Sequence, residues 1–430
     1  MKIRFYNARI MTMDGGCAVT EGEVWTDGTR ISYVGPAKAG AEEMNFDREI
    51  DARGNLIMPG FKDAHTHSGM TFLRSSADDL PLEEWLNKQV FPLEAKLCGE
   101  DVYHLSKLAI LEYLTSGITA NYDMYFFPDQ IARASIEMGF RTALCCPITS
   151  FSGETAKTVE ENFLKYNTYH ELISYTLGFH AEYTAETPLL EEIAKLSQKY
   201  HAPVFNHNSE TVDSVEQCIK RSGMTPTVFL NSLGMFEYGG GGYHCVHMTE
   251  EDLAVFAEKK LTAVTNPGSN VKLASGIAPI KRMLELNIPV AIGTDGPASN
   301  NCLDMFREMF LVTGLAKIRE NDASAVEAGS VLTMATVNGA GAMGLTDCDV
   351  LAPGKLADLI MIDLHQPNMQ PLNNIAKNVV YSGSKANVKL TMVNGKILYE
   401  NGEFFVGEEP EDIYGKANEI VKKLMKNTGC

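Results

Sequence analysis

Long hydrophobic runs are missing from this chain. No apolar stretch approaches the roughly 18 residues that cross a bilayer, so a membrane partner is not expected. The N-terminus carries Lys2 and Arg4 with no extended apolar segment behind them, so no secretory leader is expected. Positive charge is also scarce. Lys and Arg total 37 against 55 Asp and Glu, a net charge of -18. Such a surface repels phosphate backbones, and no Lys/Arg run offsets it, so nucleic acid is excluded as the expected partner. The nine cysteines include no Cys-x-x-Cys pair, and the adjacent Cys145 and Cys146 cannot easily bridge. That argues against a disulfide framework or a structural zinc finger and for a reducing cytoplasm. Internal repeats and low-complexity tracts are absent. The run Gly239 to Gly242 lacks a following Gly-Lys-Ser/Thr, so it is no phosphate loop, and it reads as a flexible or tightly turned connection.

What is present is ordinary globular material, 45% hydrophobic and 21% charged. A chain of 430 residues is long enough for a large catalytic domain and an accessory one. Its ends are β-rich. Ile3 to Met11 is strand-like, and Val24 to Val34 reads as two strands around a turn. Asp358 to Ile362 is a buried-strand run, and Asn394-Gly395 between two apolar runs is a hairpin signal. From about residue 59 to 347, short apolar strands alternate with helical stretches such as Leu189 to Tyr200 and Glu250 to Lys260. Repeated βα units over that length predict an α/β fold, a TIM (β/α)8 barrel. Residues 1–58 and 348–430 are expected to form a small discontinuous β-sandwich domain with a C-terminal helix from Glu411 to Lys426.

Several of the ten histidines sit at the ends of apolar runs, where barrel strands deliver catalytic groups. In Pro59-Gly60-Phe61-Lys62-Asp63-Ala64-His65-Thr66-His67, the two histidines are i and i+2 on one strand face and can reach one metal together. Two half-buried strand histidines would fit the spacing alone equally well. The partners that follow favour the metal. A second run ends in His207, with Glu210 three residues on, placed to move protons beside a metal-activated water. In Gly242-Tyr243-His244-Cys245-Val246-His247, the histidines are an odd number apart and cannot share a face. His244 is favoured, because it precedes Cys245-Val246, read as the strand itself, whereas His247 falls where Thr249 begins to cap a helix. Ala291-Ile292-Gly293-Thr294-Asp295 ends a buried strand in a carboxylate suited to complete a metal shell and accept a proton. Three imidazoles, a carboxylate and an open position make a catalytic metal site. The expected cofactor is one divalent ion, zinc first, with iron or manganese suiting the same donors.

Across these blocks the sequence resembles the amidohydrolase superfamily, and within it the methylthioadenosine/S-adenosylhomocysteine deaminase and chlorohydrolase branch. Further shared blocks are Glu83-Glu84-Trp85-Leu86, Asn266-Pro267 with Ser269-Asn270, Ser299-Asn300-Asn301 and Gly354 to Asp358. The resemblance implies that His65, His67, His207 and Asp295 hold the metal, that Glu210 shuttles protons and that His244 contacts the attacking water. It further implies Glu94 on the ribose hydroxyls, His180 on the sugar side, Ser299 at the purine and Trp85 in a lid. The implied reaction is hydrolytic deamination of a small-molecule substrate, an adenine-type nucleoside. Guanine, a pterin, 8-oxoguanine or a triazine is the alternative. Two positions depart from the pattern. Cys146 stands where homocysteine-binding members carry an arginine, and Thr265 where relatives often have histidine. The first disfavours S-adenosylhomocysteine as substrate. The sequence is compatible with a homo-oligomer. A non-enzymatic scaffold is disfavoured because no expected ligand is missing.

Overall fold

The computed structural model describes residues 1–76, 78–80 and 84–426, without the side chain of Glu42; Glu83 of the block noted above lies outside them. Among the described residues, seventeen strands fall into two sheets. The first five are β1 (Lys2–Met13), β2 (Gly16–Asp27), β3 (Arg30–Gly35), β4 (Arg48–Asp51) and β5 (Leu56–Pro59). Eight barrel strands follow: β6 (Phe61–Thr66), β7 (Ile118–Met124), β8 (Arg141–Cys145), β9 (Ile173–Ala181), β10 (Val204–Asn208), β11 (Gly240–His244), β12 (Thr262–Thr265) and β13 (Val290–Ile292). The chain returns through β14 (Leu359–Ile362), β15 (Val388–Val393), β16 (Lys396–Glu400) and β17 (Glu403–Phe404).

Each barrel strand pairs in parallel with the one before it, from β6 to β13. The ring is closed at its mouth by side chains and loop backbone. Asp295 N donates to His65 O at 2.9 Å, and Asp63 accepts from Thr294 N at 2.8 Å and Thr294 Oγ1 at 2.6 Å. Inside, the small residues Ala64, Ala120, Ala143 and Ala291 face the large rings of Tyr122, Phe205 and Tyr243. Alternating small and large residues fill the barrel and leave a packed core rather than a pore.

The glycine run corrects one sequence expectation. Gly240, Gly241 and Gly242 lie within β11 rather than in a loop. A Cβ on Gly240 would sit 2.0 Å from Val204 O, and one on Gly241 would sit 2.1 Å from Thr262 O. Only residues without side chains let this strand fit between β10 and β12, and a run of glycines carries no period from which a strand can be read.

The remaining nine strands join both ends of the chain in one mixed sheet, ordered β17-β16-β15-β14-β5-β1-β2-β3, with β4 on β1. β1 changes partner along its length, pairing β4 through Ile3 to Tyr6 and β5 through Arg9 and Ile10. Val24 and Ile31 near one edge share a buried cluster with Leu390 and Met392 toward the other, so the sheet curls over a core of its own as a sandwich does. Asn394-Gly395 makes the hairpin between β15 and β16, both residues having positive φ, as a type I′ turn requires. Sheet and barrel are tied by a buried ion pair. Arg141 at the start of β8 donates to both oxygens of Asp358, at 2.7 and 3.2 Å. The terminal helix Pro410–Lys426 packs on the barrel helix Gly99–Thr115, where Lys423 reaches Asp101 at 2.9 Å.

Candidate metal centre

The strands deliver their polar side chains at one end of the barrel. His65 is the penultimate residue of β6 and His67 follows its end. His207 lies near the end of β10, His244 ends β11, and Asp295 follows β13. The backbone there is forced into the left-handed region at four non-glycine residues: Ser209 (φ 49), His244 (φ 69), Cys245 (φ 49) and Asp295 (φ 59). That conformation costs about 1–2 kcal/mol per L-residue, and it persists only where surroundings hold it. Hydrogen bonds from Cys245 N to Asn208 O (3.0 Å) and from Asp295 N to His65 O do so. The turns throw His244 and Asp295 inward rather than along their strands.

His65, His67, His207 and Asp295 each offer one ligand atom, and these atoms lie within 4.8 Å of one another. Two of the histidines are oriented by main-chain carbonyls. His67 Nδ1 bonds Met124 O at 2.5 Å and His207 Nδ1 bonds His180 O at 2.7 Å, which leaves both Nε2 atoms for a cation. His65 stacks on Tyr243, ring centroids 3.7 Å apart. Both of its ring nitrogens are buried without a hydrogen-bond partner, which suits a residue whose polar partner is a metal. Asp295 Oδ1 stands 3.1 Å from His67 Nε2 and 3.5 Å from His65 Nε2. Its other oxygen accepts from Ser299 Oγ at 2.9 Å.

Burial pushes His65 down to about 3 and holds His207 well below the ordinary histidine value, where neighbouring rings lower it further. Burial alone would raise Asp295, but the adjoining rings of His65, His67 and His244 keep it well below the carboxylate range. Against burial, Asp295 lifts His67 to about 9, so a proton and a divalent ion compete for that lone pair. Three imidazoles beside a carboxylate are the donors a divalent cation takes, and these four side chains are placed so that they could hold one.

Two further groups stand over the cluster. His244 Nε2 is 4.0 Å from Glu210 Oε2 and 3.8 Å from Asp295 Oδ2. Its Nδ1 meets Asn270 Oδ1 at 2.8 Å, which fixes the tautomer with Nε2 facing the cluster. Glu210 is buried, and burial raises its carboxyl above the ordinary glutamate value. His247 turns away and bonds Ser275 O at 2.7 Å.

Above them opens a cavity of about 940 Å³, in whose wall stand Trp85, Glu94, His180, Glu210, His244 and Ser299. All ten residues singled out from the sequence thus lie at the cluster or in this wall, with His65 beneath it. Glu94 accepts from Tyr125 at 2.6 Å, and burial pushes its carboxyl up to about 7. His180 is pushed down to about 4 by burial, and its ring lies 4.7 Å from that of His207. Trp85 opens an irregular helical segment, Trp85–Val90, with its indole N–H buried and unpaired. Cys146 is buried and stands outside the described cavity wall, as does Thr265, whose carbonyl instead accepts from Gly293 N at 3.0 Å. Asn270 and Tyr125 were given no role by sequence reasoning. Asn270 sits in a noted block, but nothing in an asparagine's identity says which ring it will orient.

A profile described as the amidohydrolase family matches residues 56–398. A 5-methylthioadenosine/S-adenosylhomocysteine deaminase of Moorella thermoacetica is 39% identical over 416 residues, 96% of either chain. One of Syntrophomonas wolfei is 39% identical over 432 residues, covering 99% of this chain and all of its own. Among solved structures, an adenosine deaminase from Xanthomonas campestris with bound zinc superposes with a TM-score of 0.93 at 30% identity, covering 99% of this chain and 98% of that one. The profile runs from β5 to β16 and so takes in every strand that delivers a donor to the cluster; the chain belongs to the amidohydrolase family.

Proposed function

We propose that this protein is a metal-dependent hydrolase that removes the amino group from the adenine ring of a nucleoside. The observation that carries the reading is the convergence of four metal donors with Glu210 and His244 at the floor of one cavity. Zinc is the proposed ion. Iron or manganese would accept three imidazoles and a carboxylate, but the solved adenosine deaminase holds zinc. When bound, the ion supplies Lewis-acid chemistry, lowering the pKa of water toward neutrality.

The chain's own residues do the rest. Glu210, whose buried carboxyl retains its proton more readily than a surface glutamate, donates to the ring nitrogen beside the amino-bearing carbon and makes that carbon electrophilic. His244, locked by Asn270, and Asp295 orient the attacking water from either side. Ammonia departs with a proton passed back through Glu210 or Asp295. Glu94, held by Tyr125, accepts the ribose hydroxyls, His180 faces the sugar, and Trp85 covers the ring. Ser299 serves Asp295 in this arrangement, so its contact with a purine requires the hydroxyl to be shared.

The test is ammonia release by metal-loaded protein from adenosine, 5′-deoxyadenosine, methylthioadenosine, S-adenosylhomocysteine and guanine. Turnover of the adenine nucleosides is expected. Turnover of guanine alone overturns the reading.

A further inference from the structure

Among the described residues of the cavity wall none is Lys or Arg, whereas Glu94, Asp129, Glu154, Glu210 and Asp295 are all acidic. Four of these have partners already. Glu94 accepts from Tyr125, Asp129 accepts from Tyr166 and pairs with Lys165, Glu210 faces His244, and Asp295 belongs to the metal cluster. Glu154 has no cation within ion-pair distance among the described residues; the residue is exposed, yet partial burial raises its carboxyl above the ordinary glutamate value. It lies on the segment between β8 and the helix Ala156–Tyr166, in the cavity wall. The same wall carries Phe126, Phe127, Phe151 and Tyr183, aromatic rings that are all more than one-third exposed. The floor is therefore polar and metal-binding, while the mouth is aromatic and carries one unpaired carboxylate.

A cavity of about 940 Å³ is larger than an adenine nucleoside fills. With the ring over Glu210 and the ribose at Glu94, the rest of the cavity is left for a 5′ substituent. We propose that Glu154 is a specificity-determining residue that, with the aromatic rim, admits adenine nucleosides whose 5′ substituent is apolar or cationic and rejects those whose substituent carries a carboxylate. The inference rests on the adenine-nucleoside reading above. An entering carboxylate loses hydration and finds no Lys or Arg to replace it. It also meets Glu154, and like charges about 6 Å apart at an effective dielectric near 40 reduce binding about tenfold. Apolar groups bury against the rings, and a cation is attracted to their faces.

The experiment compares kcat/KM at pH 8 for three 5′-thioethers of adenosine, bearing methyl, 2-aminoethyl and 2-carboxyethyl groups, in wild type, Glu154→Gln and Glu154→Arg. In wild type the carboxyethyl compound is expected at least ~10-fold below the methyl compound, and the aminoethyl compound at or above it. Glu154→Gln narrows the gap and Glu154→Arg closes or reverses it. Each ratio is taken within one protein, so a partly folded variant does not distort it. In wild type alone, about 0.5 M salt narrows the gap by screening. Equal turnover of the methyl and carboxyethyl compounds by wild type overturns the proposal, as does a gap unchanged in both variants and in salt. Failure of metal-loaded wild type on both adenosine and the methyl thioether overturns the nucleoside reading instead.

Discussion

Asn270 offers the sharpest test of how the site is held. Its Oδ1 is 2.8 Å from Nδ1 of His244, whose side chain is 1% exposed. Removing that acceptor in Asn270→Ala leaves a buried ring N–H unpaired, at a cost of about 1–3 kcal/mol. The ring escapes that penalty by turning or by changing tautomer, and either takes Nε2 away from Asp295 and Glu210. If the same energy is lost from the transition state, turnover falls about 10- to 100-fold. His244 is not among the four metal donors, so metal content stays at the wild-type level. The loss should fall on kcat rather than KM, because no contact to the nucleoside is removed. Asn270→Asp keeps an acceptor for the same ring N–H and should retain more turnover than Asn270→Ala. The assay is steady-state ammonia release across pH, with metal analysis of each preparation. Asn270→Ala activity within twofold of wild type, with His244→Ala inactive, would refute the idea that this bond positions the ring.

Other outcomes follow from the same geometry. Glu210→Gln should retain its metal and lose most turnover, since the amide cannot pass a proton to the ring; full activity would remove Glu210 from the proton path. Asp358→Asn should cost about 3–5 kcal/mol at pH 7 by leaving Arg141 buried without a counter-charge. Arg141 holds the Asp358 carboxyl below its ordinary 3.8 despite burial. The pair's contribution is therefore complete above the unfolded-state value and lost as pH falls through the lower folded value. Denaturant midpoints of wild type and variant should converge below about pH 4; a constant gap would contradict the ion pair. Tyr125→Phe removes a donor that lowers Glu94, whose carboxyl stands at about 7. The acid limb of kcat/KM for adenosine should then move to higher pH, and an unmoved limb would mean that Glu94 does not accept from the substrate in ionised form.

Much of the site was legible because its chemistry is written at strand ends. His65-Thr66-His67 was readable from spacing only together with its partners, His207 and Glu210 from a strand running into polar residues, and Asp295 from a buried run ending in a carboxylate. The choice of His244 over His247 followed from Thr249, which caps its helix by accepting from Asp252 N at 3.2 Å. The hairpin at Asn394-Gly395 carried its own turn chemistry. Other features had no local signal. Gly240 to Gly242 gave no alternation from which a strand could be read. The carbonyls of Met124 and His180 that orient two metal-site histidines belong to every residue alike, so no side chain announces them. Asn270 and Tyr125 lie 26 and 31 residues from the groups they hold, distances set by the barrel rather than by a motif. The curl of the small sheet depends on β1 exchanging β4 for β5, a pairing that periodicity cannot specify.

The central claim is that one cation, gathered by His65, His67, His207 and Asp295, is required for hydrolysis. Metal content and adenosine turnover measured together, during chelation and stepwise return of zinc, test it most directly. The account predicts that both fall in proportion, that one equivalent per chain restores both, and that His65→Ala recovers neither at that equivalent. Turnover persisting in fully stripped protein, or metal held normally by His65→Ala, would contradict it.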